Sequence, residues 1–270
     1  MRPYLVAAFC CGALIVSANA STHSGLDFDC MIEARQDIDV RSSVDGIIES
    51  ILVERGSYIR RGQLIATLAS GPQRAALELA KSRAAMQGDL KAAEARLELA
   101  RKKLDRAEEL VKGNFVSANA RDEANAEYAL AREQVRAARE NQQLSALEAK
   151  RAEEVLAQHS VYSPVSGLVV DVILRPGELA TSNQNQPIVR VLEVDPLNVE
   201  LVLPFAEYGK IKTGKRAKVA TEAPLNSTYY AVVEVVDRNV DAASGTFGVR
   251  LKLPNPGGRI PAGIKCRASF

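Results

Sequence analysis

The sequence of 270 residues predicts an elongated α+β protein. It indicates a small β-sandwich in two separated halves, an antiparallel α-helical coiled-coil hairpin inserted between them, and a small β-barrel after them. Three observations predict this architecture. A glycine-punctuated strand pattern occurs twice, a stretch rich in Ala, Leu, Glu, Arg and Lys separates the two copies, and further short strand patterns follow the second copy. The predicted segments are 30–70 (leading strand and first half-motif), 71–159 (hairpin), 160–193 (second half-motif) and 194–270 (barrel).

Residues 1–20 have the features of a secretory signal peptide. Arg2 precedes a short apolar run, and Ala-Asn-Ala at 18–20 forms a small-x-small cleavage site. The run is short for a membrane-spanning helix. We therefore expect cleavage after Ala20 and export, with retention as a membrane anchor as the alternative.

Cleavage leaves two of the four cysteines, Cys30 and Cys266. An even pair in an oxidising compartment permits one disulfide, which would tie the first mature strand to the last one. Two separate buried thiols are the alternative.

The charge pattern argues against a nucleic-acid-binding protein. The formal net charge is only +2, and acidic and basic residues alternate along the helical segment, as on solvated helix faces. Aromatic residues make up 5% and Trp is absent, which fits an alanine-rich helical architecture better than a large enzyme with a deep pocket.

The repeated half-motifs share their turn spacing. Glycine and asparagine are favoured where a tight turn requires positive φ, so equal spacing indicates a shared backbone. The predicted structural turns are Gly46, Gly56 and Gly62 in the first copy and, at matching offsets, Gly167, Gly177 and Asn183 in the second.

The intervening segment predicts two long helices, Pro72–Lys112 and Ser117–Gln158, that pack on each other. Apolar and small residues recur every seven positions, which indicates a left-handed coiled coil. The predicted core positions are Leu90, Ala93, Leu97, Ala100, Leu104, Ala107 and Val111 in the first helix, and Tyr128, Ala131, Val135, Ala138, Gln142, Ser145, Ala149, Ala152 and Leu156 in the second. At the tip, Gly113 is expected to supply a left-handed residue and Ser117 to cap the next helix with its hydroxyl.

The last segment predicts five short strands separated by glycines and prolines, which favours a small antiparallel barrel. They are Val199–Leu203, Ala217–Thr221, Tyr230–Val236, Phe247–Leu253 and Ile264–Phe270.

The two half-motifs each resemble half of a biotinyl/lipoyl domain, at 44–48 with 53–56 and at 163–167 with 175–178. With the inserted hairpin and the following barrel, nearly all of the mature chain resembles the periplasmic adaptor subunits (membrane fusion proteins, HlyD family) of RND-type tripartite efflux systems. The resemblance implies a non-enzymatic homo-oligomer without cofactor or metal, peripheral to the inner membrane. Its implied partners are an RND-type inner-membrane transporter and a TolC-like outer-membrane channel. The sequence departs from the longer adaptors in one respect: it ends at Phe270, directly after the predicted barrel, so we expect it to lack the extra membrane-proximal β-domain that many of them carry.

The hairpin tip carries a sharper resemblance. Adaptors that engage TolC-like channels resemble one another in an Arg, a Leu and a Ser at the offsets of Arg106, Leu110 and Ser117, which implies that these residues dock onto the channel. In the alternative interpretation Arg106 pairs with Glu109, Leu110 is core and Ser117 is only a cap.

Two other functions stay open. An adaptor of a protein or peptide secretion system would use the same hairpin. A biotin or lipoyl carrier would need a lysine on the turn that joins the halves, but residues 68–71 read Leu-Ala-Ser-Gly and lead into the hairpin. His23 and His159 have no His or Cys nearby at metal-ligand spacing and are interpreted as surface or boundary residues.

Overall fold

A computed structural model describes residues 27–182 and 186–270. The signal peptide, His23 and Asn183 lie outside the described residues. Among the described helices, none is both long enough and apolar enough to cross a bilayer. In chain order the elements are β1 Phe28–Val40, β2 Gly46–Ile51, β3 Tyr58–Ile59, β4 Leu64–Leu68, α1 Gly71–Ala85, α2 Gly88–Lys112, α3 Ala118–Ala157, β5 Ser160–Tyr162, β6 Gly167–Val172, β7 Leu179–Ala180, β8 Val189–Pro204, a 3-10 turn Phe205–Glu207, β9 Arg216–Thr221, β10 Thr228–Asp241, β11 Thr246–Leu253 and β12 Ile264–Ser269.

Strands of the two half-motifs interleave in one sandwich. The four-stranded sheet has the order β5-β4-β2-β7, so two strands of the first half lie between two strands of the second. The pairing is reciprocal, because Gly46 pairs with Ala180 while Gly167 pairs with Ile59. Ala180 follows Gly167 by the same number of positions as Ile59 follows Gly46. The predicted split sandwich is therefore confirmed, and the two halves complete each other symmetrically.

The matching turns of the two halves have the same backbone. Gly56 and Gly177 adopt φ values of +87° and +92°. The Gly56 amide donates to the Val169 carbonyl at 2.8 Å, and the Gly177 amide donates to the Ile48 carbonyl at 2.9 Å. Each turn is thus held by a strand of the other half.

Gly46 and Gly167 correct the expectation that every repeated glycine is a turn residue. They are the first residues of β2 and β6, and neither has a positive φ. At Gly167 the requirement is space, since an added Cβ would lie 2.1 Å from the Leu192 carbonyl oxygen on β8. The glycine allows β6 to approach β8 closely.

The inserted hairpin contains three helices instead of the predicted two. The first arm is interrupted after α1, where Met86 adopts an extended ψ of 125°, and α2 starts at Gly88. Glycine costs about 1 kcal/mol relative to alanine inside a helix. This local cost favours an interruption at that point, and α3 packs against both α1 and α2.

The heptad positions predicted for the hairpin core are confirmed. Ala93, Ala100, Ala131 and Val135 are buried, and the remaining predicted positions are half-buried. The seam between α2 and α3 is also crossed by ion pairs, such as Lys103 Nζ to Glu127 Oε1 at 2.7 Å. Because alanine side chains are small, the two arms approach closely but bury little apolar area in each layer.

The second compact unit comprises residues 27–33, 198–253 and 263–270 and contains the predicted barrel strands. The strand order β1-β12-β9-β10-β11-β8, with an additional β1–β8 pairing, returns to its starting strand. Cys30 on β1 lies opposite Cys266 on β12, with Cα atoms 4.9 Å apart, and a disulfide joins them.

Residues 254–262 belong to the sandwich unit, although they follow a barrel strand in the sequence. Buried Asn255 anchors this segment. Its Nδ2 donates to the carbonyls of Val194 and Ile260, and its Oδ1 accepts from the Ile260 amide, each at 2.9 Å. A buried amide with these partners fixes the segment in place.

Candidate docking site at the hairpin tip

The tip is a tight connection between α2 and α3 with a defined end motif. The Phe115 amide donates to the Leu110 carbonyl at 2.9 Å, and the Asn114 amide donates to the Val111 carbonyl at 3.0 Å. These two bonds form a Schellman motif, which needs a left-handed residue just past the helix. That residue is Asn114, with φ of 61°, whereas Gly113 has φ of −84°. The prediction that Gly113 supplies the left-handed residue is therefore wrong.

Gly113 serves the tip by its lack of a side chain. A Cβ at this position would lie 2.6 Å from two ring carbons of Phe115. The Phe115 ring therefore packs over the glycine, yet 79% of the residue remains exposed. The sequence analysis did not assign Phe115 to the site. The feature that could have identified it is a large aromatic residue in a short polar connection between two helices.

Leu110 and Arg106 lie one turn apart on α2, so their side chains share a face. Leu110 is 44% exposed, which does not agree with a place in the hairpin core. Arg106 donates from Nε to the Lys102 carbonyl at 3.1 Å. Within the described residues its guanidinium has no carboxylate at ion-pair distance, and the alternative pairing with Glu109 is absent.

Ser117 occupies the N-cap position of α3 without acting as the predicted hydroxyl cap. Its backbone is extended, with φ of −74° and ψ of 157°, and its side chain makes no cap hydrogen bond. The Ser117 carbonyl instead accepts from the Ala120 amide at 3.1 Å. The hydroxyl is therefore left exposed at the tip.

A neighbouring arginine differs from Arg106 in its electrostatic state. Arg121 Nη2 donates to Asp122 Oδ1 at 2.7 Å. This hydrogen bond, with the attraction of Asp122, raises the pKa of the Arg121 guanidinium. Arg121 is thus neutralised locally, while Arg106 keeps an uncompensated charge and a forked set of donors.

Across the described residues there is no group of three His, Cys, Asp or Glu side chains that could hold a metal. His159, interpreted from sequence as a surface or boundary residue, is buried at the base of the hairpin, and its Nδ1 lies 3.1 Å from the Val155 carbonyl oxygen. The first half-motif runs from β4 directly into α1, so no lysine is presented on a carrier turn there.

Comparison with known protein families decides the classification. Residues 36–192, which hold the sandwich and the hairpin, match the family model "RND MFP, barrel-sandwich hybrid domain". The chain belongs to the RND-type membrane fusion protein family. Residues 197–270 match the model "CusB-like, beta-barrel domain", which agrees with the predicted order of domains.

Individual relatives are distant. The multidrug resistance protein MdtE of Escherichia coli K12 is 26% identical over 238 residues, which cover 84% of this chain and 58% of MdtE. The cation efflux system protein CzcB of Alcaligenes sp. strain CT14 is 24% identical over 248 residues, covering 91% of this chain and 45% of CzcB. This chain therefore spans about half the length of the curated relatives it matches.

A solved structure supports the fold. MacA from Actinobacillus actinomycetemcomitans superposes with a TM-score of 0.75 at 21% identity, covering 91% of this chain and 78% of that one. At this identity the similarity establishes the fold alone.

Proposed function

We propose that this membrane fusion protein is an exported periplasmic adaptor, peripheral to the inner membrane, that links an RND-type transporter to a TolC-like outer-membrane channel. Several copies act together as a homo-oligomer. The chain contributes no chemistry of its own; its function is to hold two membrane proteins in one efflux path. Family membership and the geometry of the hairpin tip support the proposal.

The observation that carries the proposal is the exposure of the tip. Leu110 presents an apolar side chain to solvent, Arg106 presents an uncompensated guanidinium, and Ser117 presents a free hydroxyl. Interface residues that dominate affinity are commonly apolar anchors or arginines beside such polar groups. Arg106 suits acceptors such as the carbonyls or carboxylates at the ends of the channel's helices.

The length of the hairpin fits this role. Helix α3 has 40 residues, and at 1.5 Å per residue it extends about 60 Å. A pair of arms of this length carries its tip well away from the sandwich. It therefore bridges part of the gap between two membranes without a large folded domain.

The test compares two tip variants with a shaft variant in cells that lack the chromosomal copy. Leu110→Asp and Arg106→Asp should each weaken docking by about 2 kcal/mol, or roughly thirtyfold, because each places a carboxylate in the contact. Export is measured as efflux of a fluorescent substrate, and protein amount by immunoblot. The matched control is Leu130→Asp on α3, where the leucine is 62% exposed on the shaft. We expect this control to export normally.

Two results would contradict the proposal. One is unchanged efflux by both tip variants at normal protein amounts. The other is a pull-down from crosslinked cells that recovers neither an inner-membrane transporter nor an outer-membrane channel. A cysteine at Ser117, crosslinked in cells, adds a direct readout, since it should capture the channel.

A further inference from the structure

Between Tyr230 and Val233, strand β10 of the barrel unit is apolar on both faces. Ala231 and Val233 point inward and are buried at 0% and 1% exposure. Tyr230 and Val232 point outward and remain 69% and 39% exposed. A strand with one solvated face normally alternates apolar with polar residues. At Tyr230 and Val232 the outward face of β10 therefore has the composition of a surface that is covered in use.

The strand register places cations on both sides of these apolar residues. Across β12, β9 and β10, Ser269 lies beside Lys218, which lies beside Tyr230. One row further along the strands, Arg216 on β9 and Lys252 on β11 lie on either side of Val232. The row on the opposite side of Tyr230 contains Arg267, Ala220 and Thr228. We refer to Arg216, Lys218, Tyr230, Val232, Lys252 and Arg267 as the β10 patch.

Cations outnumber carboxylates in and around the β10 patch. Among the described residues, none of its four cations has an ion pair or a side-chain hydrogen bond. Two carboxylates border the patch. Asp29 on β1 lies opposite Arg267 on β12, and Glu234 follows Val232 by two residues on β10, at a register shift beside the Val235–Arg250 pair. In the row between these borders, Lys218 and Tyr230 have no carboxylate beside them within β12, β9 and β10. The patch thus keeps an excess of positive charge around an exposed aromatic and apolar centre.

We propose that the β10 patch docks onto the surface of a bilayer that contains anionic phospholipid. Lysines and arginines near such a surface each contribute about a fivefold gain in binding. Tyrosine suits the headgroup region because its ring is apolar and its hydroxyl is polar. Four neighbouring strands present the patch over about 14 Å, so several headgroups are contacted together.

The composition favours a lipid surface over a protein partner. Lysine is depleted from the centres of protein interfaces, whereas two of the four cations here are lysines that stand directly beside the apolar residues. A lysine is a compact, hydrated point charge on a flexible stem, which adapts to mobile phosphate groups. The small apolar centre adds contact with the headgroup boundary. The inference concerns the barrel unit and does not depend on docking at the hairpin tip.

Co-sedimentation of the purified mature chain with vesicles tests the proposal. Vesicles of phosphatidylglycerol and phosphatidylethanolamine should bind the protein, and vesicles of phosphatidylcholine alone should not. Raising the salt concentration should weaken binding, because exposed charges are screened. The double variant K218Q/K252Q should bind about 25-fold more weakly, at about fivefold for each lysine. Tyr230→Ser should also reduce binding while leaving its salt dependence in place.

The matched control is K91Q/K150Q, which removes two exposed lysines from the hairpin without changing the β10 patch. It should bind vesicles like the unmodified chain. The proposal is overturned if this control loses as much binding as K218Q/K252Q, if neutral vesicles bind equally well, or if no vesicle binds. It is also overturned if a photocrosslinker at Val232 captures a protein in cells and no lipid, since the patch would then be a protein interface.

Discussion

The sandwich and the hairpin of this chain are stabilised in different ways. The sandwich core contains large side chains at or near 0% exposure, among them Ile48, Ile59, Ile65, Leu68 and Ile188. The buried positions along the hairpin are mostly alanines, with Leu77 and Val135 as the larger exceptions. At about 25 cal/mol per Å², each sandwich layer contributes several times the apolar burial of a hairpin layer. The comparison indicates that apolar burial in the sandwich supplies most of the folding stability, whereas the hairpin supplies length.

The largest expected effect comes from filling the narrow space between strands β6 and β8 of the sandwich. In Gly167→Ala the new Cβ would lie 2.1 Å from the Leu192 carbonyl oxygen, which belongs to backbone that cannot rotate away. We expect β6 to separate from β8 and the sandwich to lose more than about 5 kcal/mol of unfolding free energy. Hydrogen exchange should show lost protection throughout the sandwich strands.

Gly71→Ala is the matched control for that substitution. A Cβ at Gly71 meets no atom within 4 Å, and this residue starts α1. In Gly71→Ala we expect the hydrogen-exchange protection of the sandwich strands to be unchanged. Normal protection of the sandwich in Gly167→Ala would show that close approach of β6 and β8 is not essential.

A second pair of variants measures the two cores directly. Leu68→Ala removes a side chain with 0% exposure from the sandwich and should cost about 3 kcal/mol, including the cavity term. Val135→Ala removes two methyl groups from the hairpin and should cost about 1 kcal/mol, with lost protection confined to the helices. Denaturant unfolding measures the loss of unfolding free energy in each variant, and hydrogen exchange shows which strands or helices lose protection. Equal destabilisation by the two substitutions would contradict the difference proposed between the two cores.

The confirmed parts of the fold are those with a repeated signal. Heptad spacing predicted the hairpin seam because each core position is reinforced by its neighbours one turn away. The spacing of glycines predicted that the halves share a backbone, and reciprocal pairing of Gly46 and Gly167 follows from that symmetry. A single residue gives no such reinforcement. The interruption at Met86 and the left-handed Asn114 both depend on one local choice of dihedral angles.

At the hairpin tip, the sequence was sufficient to identify candidate docking residues, but it did not predict which of their side chains are exposed to solvent. Leu110 directly precedes the core residue Val111, so spacing alone does not decide whether it joins the seam. Phe115 was missed because the resemblance placed no role on it. Its exposure follows from the Schellman turn and from the space over Gly113, which are three-dimensional features. The cations around β10 likewise come together only through the strand register.

The smallest expected effect concerns ion pairs in the two regions. In the sandwich, the hydrogen bond from Arg190 holds the pKa of the Asp37 carboxyl below its ordinary value. A lowered folded-state pKa stabilises the fold above the unfolded-state value of about 3.9 and loses that contribution as pH falls through the folded value. Because Asp37 and Arg190 are both about half exposed, solvent screens the pair, and its contribution to the unfolding free energy should be small.

Asp37→Asn should therefore destabilise the sandwich slightly at pH 7, and its effect should decline as the pH falls below the unfolded-state value and through the folded-state pKa. Glu94→Gln is the hairpin counterpart, since Glu94 pairs with Arg139 across the seam at 3.1 Å. It should cost about 0.3 kcal/mol at neutral pH, with lost exchange protection limited to the α2–α3 seam. A large loss in either variant would mean that surface charge, and not apolar burial, decides the difference between the two regions.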